Sequence, residues 1–134
     1  MQNWLFDHID LRVRNRDEAQ KFYAQLLPAL GFKRDISGEE WGCFDSGSSK
    51  QQGPFFGFTE DPKHRPGESR IAFWASSREK VDRIGEVVRK AGGRNIEGPE
   101  LCVGYSPGYY ALFFDDPSGN KLEVCHRGSG LRGG

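Results

Sequence analysis

Hydrophobic and polar residues alternate along the first predicted strand, which extends from Phe6 to Val13. With a period of two, positions 9, 11 and 13 are aliphatic, while the opposite face carries His8, Asp10 and Arg12. We expect the aliphatic face to pack against a helix. The polar face then borders solvent or a cavity, which makes His8 a candidate site residue.

The segment after this strand has the period of an amphipathic helix, which we predict from Arg16 to Leu27. Asn15 precedes the helix and Glu18 follows three residues later, which is the pattern of a capping box. We expect Pro28 to end or bend the helix. Gly31 suits the left-handed position that follows a last helical turn.

The same order of signals returns about sixty residues further along the chain. A second strand-like run covers Arg70 to Ala75, and a second capped helix is predicted from about Ser77 to Ala91. Arg70 follows His8 by 62 residues. This regular spacing predicts a duplicated module.

Six further strands complete the two predicted modules. They are expected at Phe32–Ile36, Trp41–Phe44, Pro54–Thr59, Arg94–Ile96, Tyr109–Phe114 and Lys121–His126. The fold class is therefore α+β, with two βαβββ modules, about 5–60 and 68–126, that form a cup-shaped mixed sheet with helices on the outer face. A single domain, 1–126, is followed by a Gly-rich tail, 127–134, that we predict to be flexible.

The composition of this 134-residue chain argues against several classes of function. Nineteen Lys and Arg residues balance nineteen Asp and Glu residues, whereas a nucleic-acid surface requires a basic excess. The three cysteines have no CxxC spacing, which indicates reduced intracellular thiols. No apolar run approaches the roughly 20 residues of a membrane span. We therefore expect a cytoplasmic protein with no nucleic-acid or membrane partner.

One segment near the end of the chain carries the most specific motif. From Asp115 to Glu123 the sequence reads Asp-Asp-Pro-Ser-Gly-Asn-Lys-Leu-Glu. This segment resembles the closing hairpin of the glyoxalase, bleomycin-resistance and extradiol-dioxygenase superfamily, also called the vicinal oxygen chelate proteins. The first strand, and the Phe22-Tyr23 pair with Leu30-Gly31-Phe32, are also similar to that family. The resemblance extends over residues 5–126.

The resemblance implies a divalent metal in the cup, with ligands from the first and last strand of each module. By position, His8 and Glu123 fit two of these places. The equivalent place in the fifth strand is held by Arg70, whose guanidinium has no lone pair to offer a metal. The frame of the fourth strand is ambiguous, so Glu60 at its end, or His64 in the following loop, is the candidate third donor.

Two readings of this incomplete set stay open. In the first, Zn, Ni, Mn or Fe is held by His8, Glu123 and a third donor. In the second, no metal is bound, and Arg70 pairs with Glu123 or grips an anionic substrate. In both readings we expect Glu123 and Arg70 to be the catalytic residues.

Two aromatic residues are expected to contact the substrate beside Arg70. Trp74 shares a strand face with Arg70, and a polar cavity with aromatic walls is typical of small-molecule sites. Tyr105 lies in a Gly- and Pro-bounded segment, 98–108, that we predict to be a rim or lid.

The function implied by the resemblance is that of a small-molecule enzyme. It would act on an oxygenated or thiol-conjugated metabolite as a lyase, isomerase or dioxygenase of the superfamily. The alternative is a binding protein of the bleomycin-resistance type that sequesters a small compound without chemistry. The expected partners are a small molecule and a second copy of the chain in a homodimer.

Overall fold

The computed structural model describes residues 4–128. The chain divides into two compact units, Met1–Arg65 and Pro66–Gly134. We call them unit 1 and unit 2 and describe each by itself.

Unit 1 is a four-stranded mixed sheet with one helix. Its elements are β1 (His8–Val13), α1 (Arg16–Leu30), β2 (Arg34–Asp35), β3 (Trp41–Asp45) and β4 (Phe55–Glu60). The strand order is β1-β4-β3-β2, in which β1 runs parallel to β4 and the other pairs are antiparallel. The helix buries a stripe that includes Phe22, Tyr23 and Leu26, and Tyr23 contacts the rings of Phe56 and Phe58 in the sheet.

Unit 2 repeats this arrangement. Its elements are β5 (Arg70–Trp74), α2 (Arg78–Ala91), β6 (Arg94–Leu101), β7 (Tyr109–Asp115) and β8 (Lys121–Arg127). The strand order is β5-β8-β7-β6, with β5 parallel to β8. Because both units have the same element order and the same strand order, the predicted α+β fold of two βαβββ modules is confirmed.

The first helix begins where the sequence predicts and ends later. The Asn15 side chain accepts a hydrogen bond from the backbone N–H of Glu18 at 2.8 Å. Pro28 does not end the helix, since α1 continues to Leu30. The alternative, that Pro28 bends the helix, stays a prediction. The end is set by Gly31, which has a φ of 115°, together with backbone bonds from Gly31 to Pro28 and from residue 32 to residue 27. These two bonds form a Schellman cap, which satisfies the last carbonyls.

Two strands of the structure differ in length from those predicted. The strand expected at 32–36 is reduced to Arg34–Asp35, the stretch that pairs with the end of β3. The short strand expected at 94–96 extends to Leu101, with two register shifts along its pairing with β7. The first residues of the predicted rim, 98–108, are therefore part of a strand.

The end of the chain is described only in part. Strand β8 includes Arg127, which the sequence had placed in the tail. Residues 129–134 of the predicted flexible tail lie outside the described residues. Among residues 4–128, no helix is long and apolar enough to cross a membrane.

Candidate functional site

The second sheet has one apolar face and one polar face. Leu112, Phe114, Leu122 and Val124 are buried on the side of α2. The opposite side is the polar face of unit 2, and the strand register places the following residues on it: Arg70, Ala72 and Trp74 of β5; Lys121, Glu123, Cys125 and Arg127 of β8; and Tyr109, Ala111, Phe113 and Asp115 of β7. Glu123 lies between Ala72 and Phe113, near the middle of this face.

Glu123 is almost completely buried, with 5% of its surface exposed. The hydroxyl of Tyr109 donates a short hydrogen bond to its Oε2 atom. Burial, followed by hydrogen bonds with Cys125 and Glu123, raises the pKa of Tyr109 well above its ordinary value. The phenol therefore remains protonated and keeps its role as the donor that orients the Glu123 carboxylate.

Cys125 lies beside Glu123 and is itself buried. Burial is the largest cause that raises the pKa of its thiol. A protonated thiol is a poor nucleophile, so Cys125 is a hydrogen-bonding neighbour of Tyr109 and Glu123 and not a nucleophile.

Arg70 is exposed, and its guanidinium carbon lies 4.9 Å from the centroid of the Phe113 ring. The side chain thus leans across β8 and rests on the aromatic ring of β7. A cavity of about 410 Å³ opens at this end of the polar face, lined by Arg70, Asn95, Ile96, Glu97, Phe113, Phe114, Asp115 and Lys121. Arg70 is therefore placed where it can bind an anionic group.

The two aromatic residues expected to contact the substrate lie on either side of β8, Trp74 on β5 and Tyr105 beside Tyr109 of β7. Trp74 is 55% exposed and pairs in register with Cys125. Tyr105 is 64% exposed, and its ring lies 5.1 Å from that of Tyr109 in an edge-on arrangement. Unit 2 therefore combines Glu123 on its polar face with exposed aromatic rings.

The Asp-Pro-Ser-Gly-Asn motif builds the turn that leads into β8. The Asp116 side chain is fully buried and accepts bonds from the backbone N–H groups of Ser118 and Asn120, each at 2.9 Å. Gly119 has a φ of 92°, which disfavours residues with a Cβ. The motif is thus turn chemistry, and its contribution to the site is the position of the strand that carries Glu123.

His8 lies on the polar face of unit 1. Its Nδ1 atom is 2.7 Å from the Asp7 carboxylate, and its ring stacks on Phe55 with centroids 4.5 Å apart. A cavity of about 210 Å³ is lined by His8, Asp10, Trp41, Gly42, Cys43, Phe55, Gly57, Phe58 and Thr59. When Nδ1 carries the proton shared with Asp7, Nε2 keeps its lone pair.

The candidate third donors are not placed beside His8. Glu60 pairs with Val13, whereas His8 pairs with Phe55, so five residues, or roughly 16 Å, separate Glu60 from His8 along the sheet. Val13 is buried on the helix side, so Glu60 also belongs to the opposite face. The register therefore does not place Glu60 beside His8, and its role as a possible third donor stays a prediction. His64 lies in the turn beyond this far end of β4, and its role stays a prediction.

The strand register also resolves which residue of β4 corresponds to Glu123. In unit 2, Glu123 pairs with Ala72, which lies two places after Arg70. In unit 1, the residue two places after His8 is Asp10, and its partner in β4 is Gly57. Gly57 is therefore the counterpart of Glu123. Of the four positions that the family pattern assigns to ligands, two therefore hold an arginine and a glycine. Within residues 4–128, no group of three or more His, Cys, Asp or Glu side chains is arranged to hold a metal ion. The residues present do not fit a complete metal site of that pattern.

Comparison with known proteins places the chain in a family. Residues 5–124 match the model of the glyoxalase, bleomycin resistance protein and dioxygenase superfamily. The chain belongs to this superfamily, whose members bind small molecules, often use divalent metals and often form dimers.

The chain is also similar to individual proteins along most of its length. The uncharacterized protein YqjT of Bacillus subtilis (strain 168) is 28% identical over 127 residues, which is 87% of this chain and 94% of YqjT. A glyoxalase/bleomycin resistance protein from Albidiferax ferrireducens T118 is 26% identical, with a TM-score of 0.76 over 92% of this chain and 100% of that one. A protein from Bacillus halodurans is also 26% identical, with a TM-score of 0.72 over 91% of this chain and 95% of that one.

Proposed function

We propose that this chain is a glyoxalase-like enzyme in which Glu123 moves a proton on a small oxygenated metabolite while Arg70 binds the negative charge. The observation that carries this proposal is the burial and hydrogen bonding of the Glu123 side chain. It is a buried carboxylate, held by the Tyr109 hydroxyl, on the same strand face as an exposed guanidinium. Burying a carboxylate costs free energy that hydrogen bonds repay only in part, so its retention suits a residue that reacts.

The proposed step is a proton transfer at a carbon next to a carbonyl group. The C–H bond breaks, the proton passes to the Glu123 carboxylate, and the electron pair moves onto the carbonyl oxygen as an enolate. Arg70 stabilises the negative charge on that oxygen or on a neighbouring anionic group. When the carbon that loses its proton also carries a hydroxyl group, the intermediate is an enediolate. Transfer of the hydroxyl proton to the other oxygen, and return of the proton from Glu123 to the former carbonyl carbon, then complete an isomerisation.

Tyr109 has a positioning role in this scheme. Its hydroxyl occupies one carboxylate oxygen of Glu123. The second oxygen is then the one that receives the proton, and its direction is fixed by the bond to Tyr109.

Sequestration without chemistry is the second candidate function. It is favoured by the large exposed areas of Trp74 and Tyr105, which suit stacking on a planar ligand. Arg70 would then neutralise an anionic group of the bound compound, and Glu123 would contribute only structure.

Deuterium incorporation separates the two functions. The protein is incubated in D₂O with small oxo acids, beginning with pyruvate and 2-oxobutyrate, and exchange at the carbon next to the carbonyl is followed by NMR. We expect exchange with the wild type, a loss of about a hundredfold or more in Glu123→Gln, and wild-type rates in Glu100→Gln. Glu100 is an exposed carboxylate on β6 and serves as the matched control. Ligand binding with no exchange for any tested acid would favour sequestration.

Metal analysis of the purified chain tests the reading with a metal. Stoichiometric Zn, Ni, Mn or Fe that is lost in His8→Ala would contradict the arginine-based proposal, since it would require a donor set beyond His8 and Glu123. The cytoplasmic location and the homodimer stay predictions.

A further inference from the structure

We propose that Lys121 and Arg70 together bind the anionic head group of the substrate, in the cavity at one end of the polar face of unit 2. The identification of this ligand as the substrate rests on the proposed function. The head group is a carboxylate or a phosphoryl group, both of which offer oxygen acceptors to Lys and Arg.

The strand register places two positive charges next to each other. Arg70 in β5 pairs directly with Lys121 in β8, and their side chains share one face. Like charges in this relation are unfavourable by themselves. No ion pair joins either residue to a carboxylate within the described part of the chain, so their positive charge remains available to a ligand.

The two carboxylates that also line the cavity, Asp115 and Glu97, limit the ligand to a single anionic group. Asp115, the other neighbour of Lys121, accepts a hydrogen bond from the Asn95 side chain at 2.8 Å. Glu97 of β6 pairs in register with Phe113 of β7, on the side of Phe113 that is away from β8. A second anionic group near Glu97 would be repelled. The cavity volume of about 410 Å³ is sufficient for a small acid.

The position of this cavity relative to Glu123 restricts the substrate. Glu123 follows Lys121 by two residues on the same face, which corresponds to about 7 Å along the strand. Phe113 pairs with Glu123, so its ring forms the floor between the head group and the carboxylate. The carbon that loses its proton therefore lies a few bonds from the head group. The substrate class is a small carboxylated or phosphorylated carbonyl compound.

Anion titration of the ¹⁵N-labelled full chain tests this inference. The probes are acetate, methylphosphonate and inorganic phosphate, each added against chloride at matched ionic strength. We expect saturable shifts in the amide signals of Arg70, Phe113 and Lys121 with at least one probe. Acetate and the two phosphorus probes distinguish a carboxylate head group from a phosphoryl one. If no probe shifts these signals more than chloride does, the inference is wrong.

Charge variants provide the matched comparison. Lys121→Gln and Arg70→Gln should each lower the affinity for the probe by about tenfold, whereas Lys121→Arg should retain binding. Arg127→Gln removes the same charge from the same strand face, six residues and roughly 20 Å away, and should change affinity by less than about twofold. Equal losses in Lys121→Gln and Arg127→Gln would show only general screening and would contradict the inference.

The two proposals fail in different ways. Glu123→Gln keeps both cations and removes a nearby negative charge, so probe binding should be retained or strengthened while proton exchange is lost. If probes bind and Glu123→Gln still catalyses exchange, the head-group site stands and the proposed role of Glu123 does not. A far-UV circular dichroism spectrum equal to that of the wild type establishes that each variant is folded.

Discussion

Gly42 in β3 is the position where the structure leaves no room for a side chain. A Cβ atom added there would lie 2.1 Å from Cζ and 2.2 Å from Cε2 of Phe58. Phe58 is fully buried, and its ring lies 4.9 Å from that of Tyr23 in α1. The aromatic ring therefore cannot swing out to solvent when Gly42 is replaced by alanine.

We expect Gly42→Ala to lower the free energy of unfolding by about 2 kcal/mol. Overpacking of a core typically costs about 1–3 kcal/mol, and this contact is severe enough for the upper part of that range. The lower entropy of the unfolded chain, when glycine is replaced, returns about 0.4–1 kcal/mol. Urea denaturation at equilibrium measures the difference as a lower midpoint with an unchanged slope.

Gly57 in the adjacent strand is the matched control. The nearest atom to a Cβ at Gly57 is the Gly42 carbonyl oxygen at 3.5 Å, an ordinary contact. Gly57→Ala should therefore be neutral or stabilise the chain by up to about 1 kcal/mol. Combining Gly42→Ala with Phe58→Leu should recover part of the loss, because the smaller side chain vacates the space. Equal stability of both alanine variants, or an equal loss in both, would refute the packing argument.

Two further predictions concern hydrogen-bonded polar groups, one fully buried and one half-buried. Asp45 is fully buried, accepts hydrogen bonds from the backbone N–H groups of Gly47 and Gly53, and forms an ion pair with Arg34 at 3.0 Å. Asp45→Asn should therefore lower the free energy of unfolding by about 2 kcal/mol, measured by urea denaturation. An unchanged midpoint would contradict this prediction. Since the folded pKa of Tyr109 is raised, the folded state holds that proton more tightly than the unfolded state, and stability should fall as pH rises above about 10. This fall should be shallower in Tyr109→Phe, and equal slopes in thermal melts at pH 9–11 would contradict the assignment.

Much of the fold could be predicted because its signals are local. The cap at Asn15 and the left-handed Gly31 depend on a few neighbouring residues, so they are readable in the sequence. The lengths of β2 and β6 depend on pairing with distant strands. The register shifts that allow β6 to continue to Leu101 have no signal in its own residues.

The site was predictable to the extent that it depends on the period of two. Alternation alone places Arg70 and Trp74 on one face and Glu123 on a face with Cys125. The bond from Tyr109 to Glu123 was missed, because it depends on the pairing of β7 with β8 and on the reach of a phenol. An aromatic residue at the start of a strand is usually part of the core, and nothing local distinguishes Tyr109 from such a residue.

The register explains why a search for metal ligands in the sequence leaves the fourth strand ambiguous. Several of its residues are aromatic or glycine, and only the pairing of Asp10 with Gly57 identifies the counterpart of Glu123. Unit 1 then has an imidazole, His8, without a carboxylate at the paired position, and unit 2 has a carboxylate, Glu123, with Arg70 in place of the imidazole. Steric crowding does not explain why position 57 is a glycine, since a Cβ atom added there would make only ordinary contacts. The two units thus differ in chemistry while sharing a backbone plan, and the buried acid on the same strand face as two cations makes unit 2 the half where we expect proton transfer.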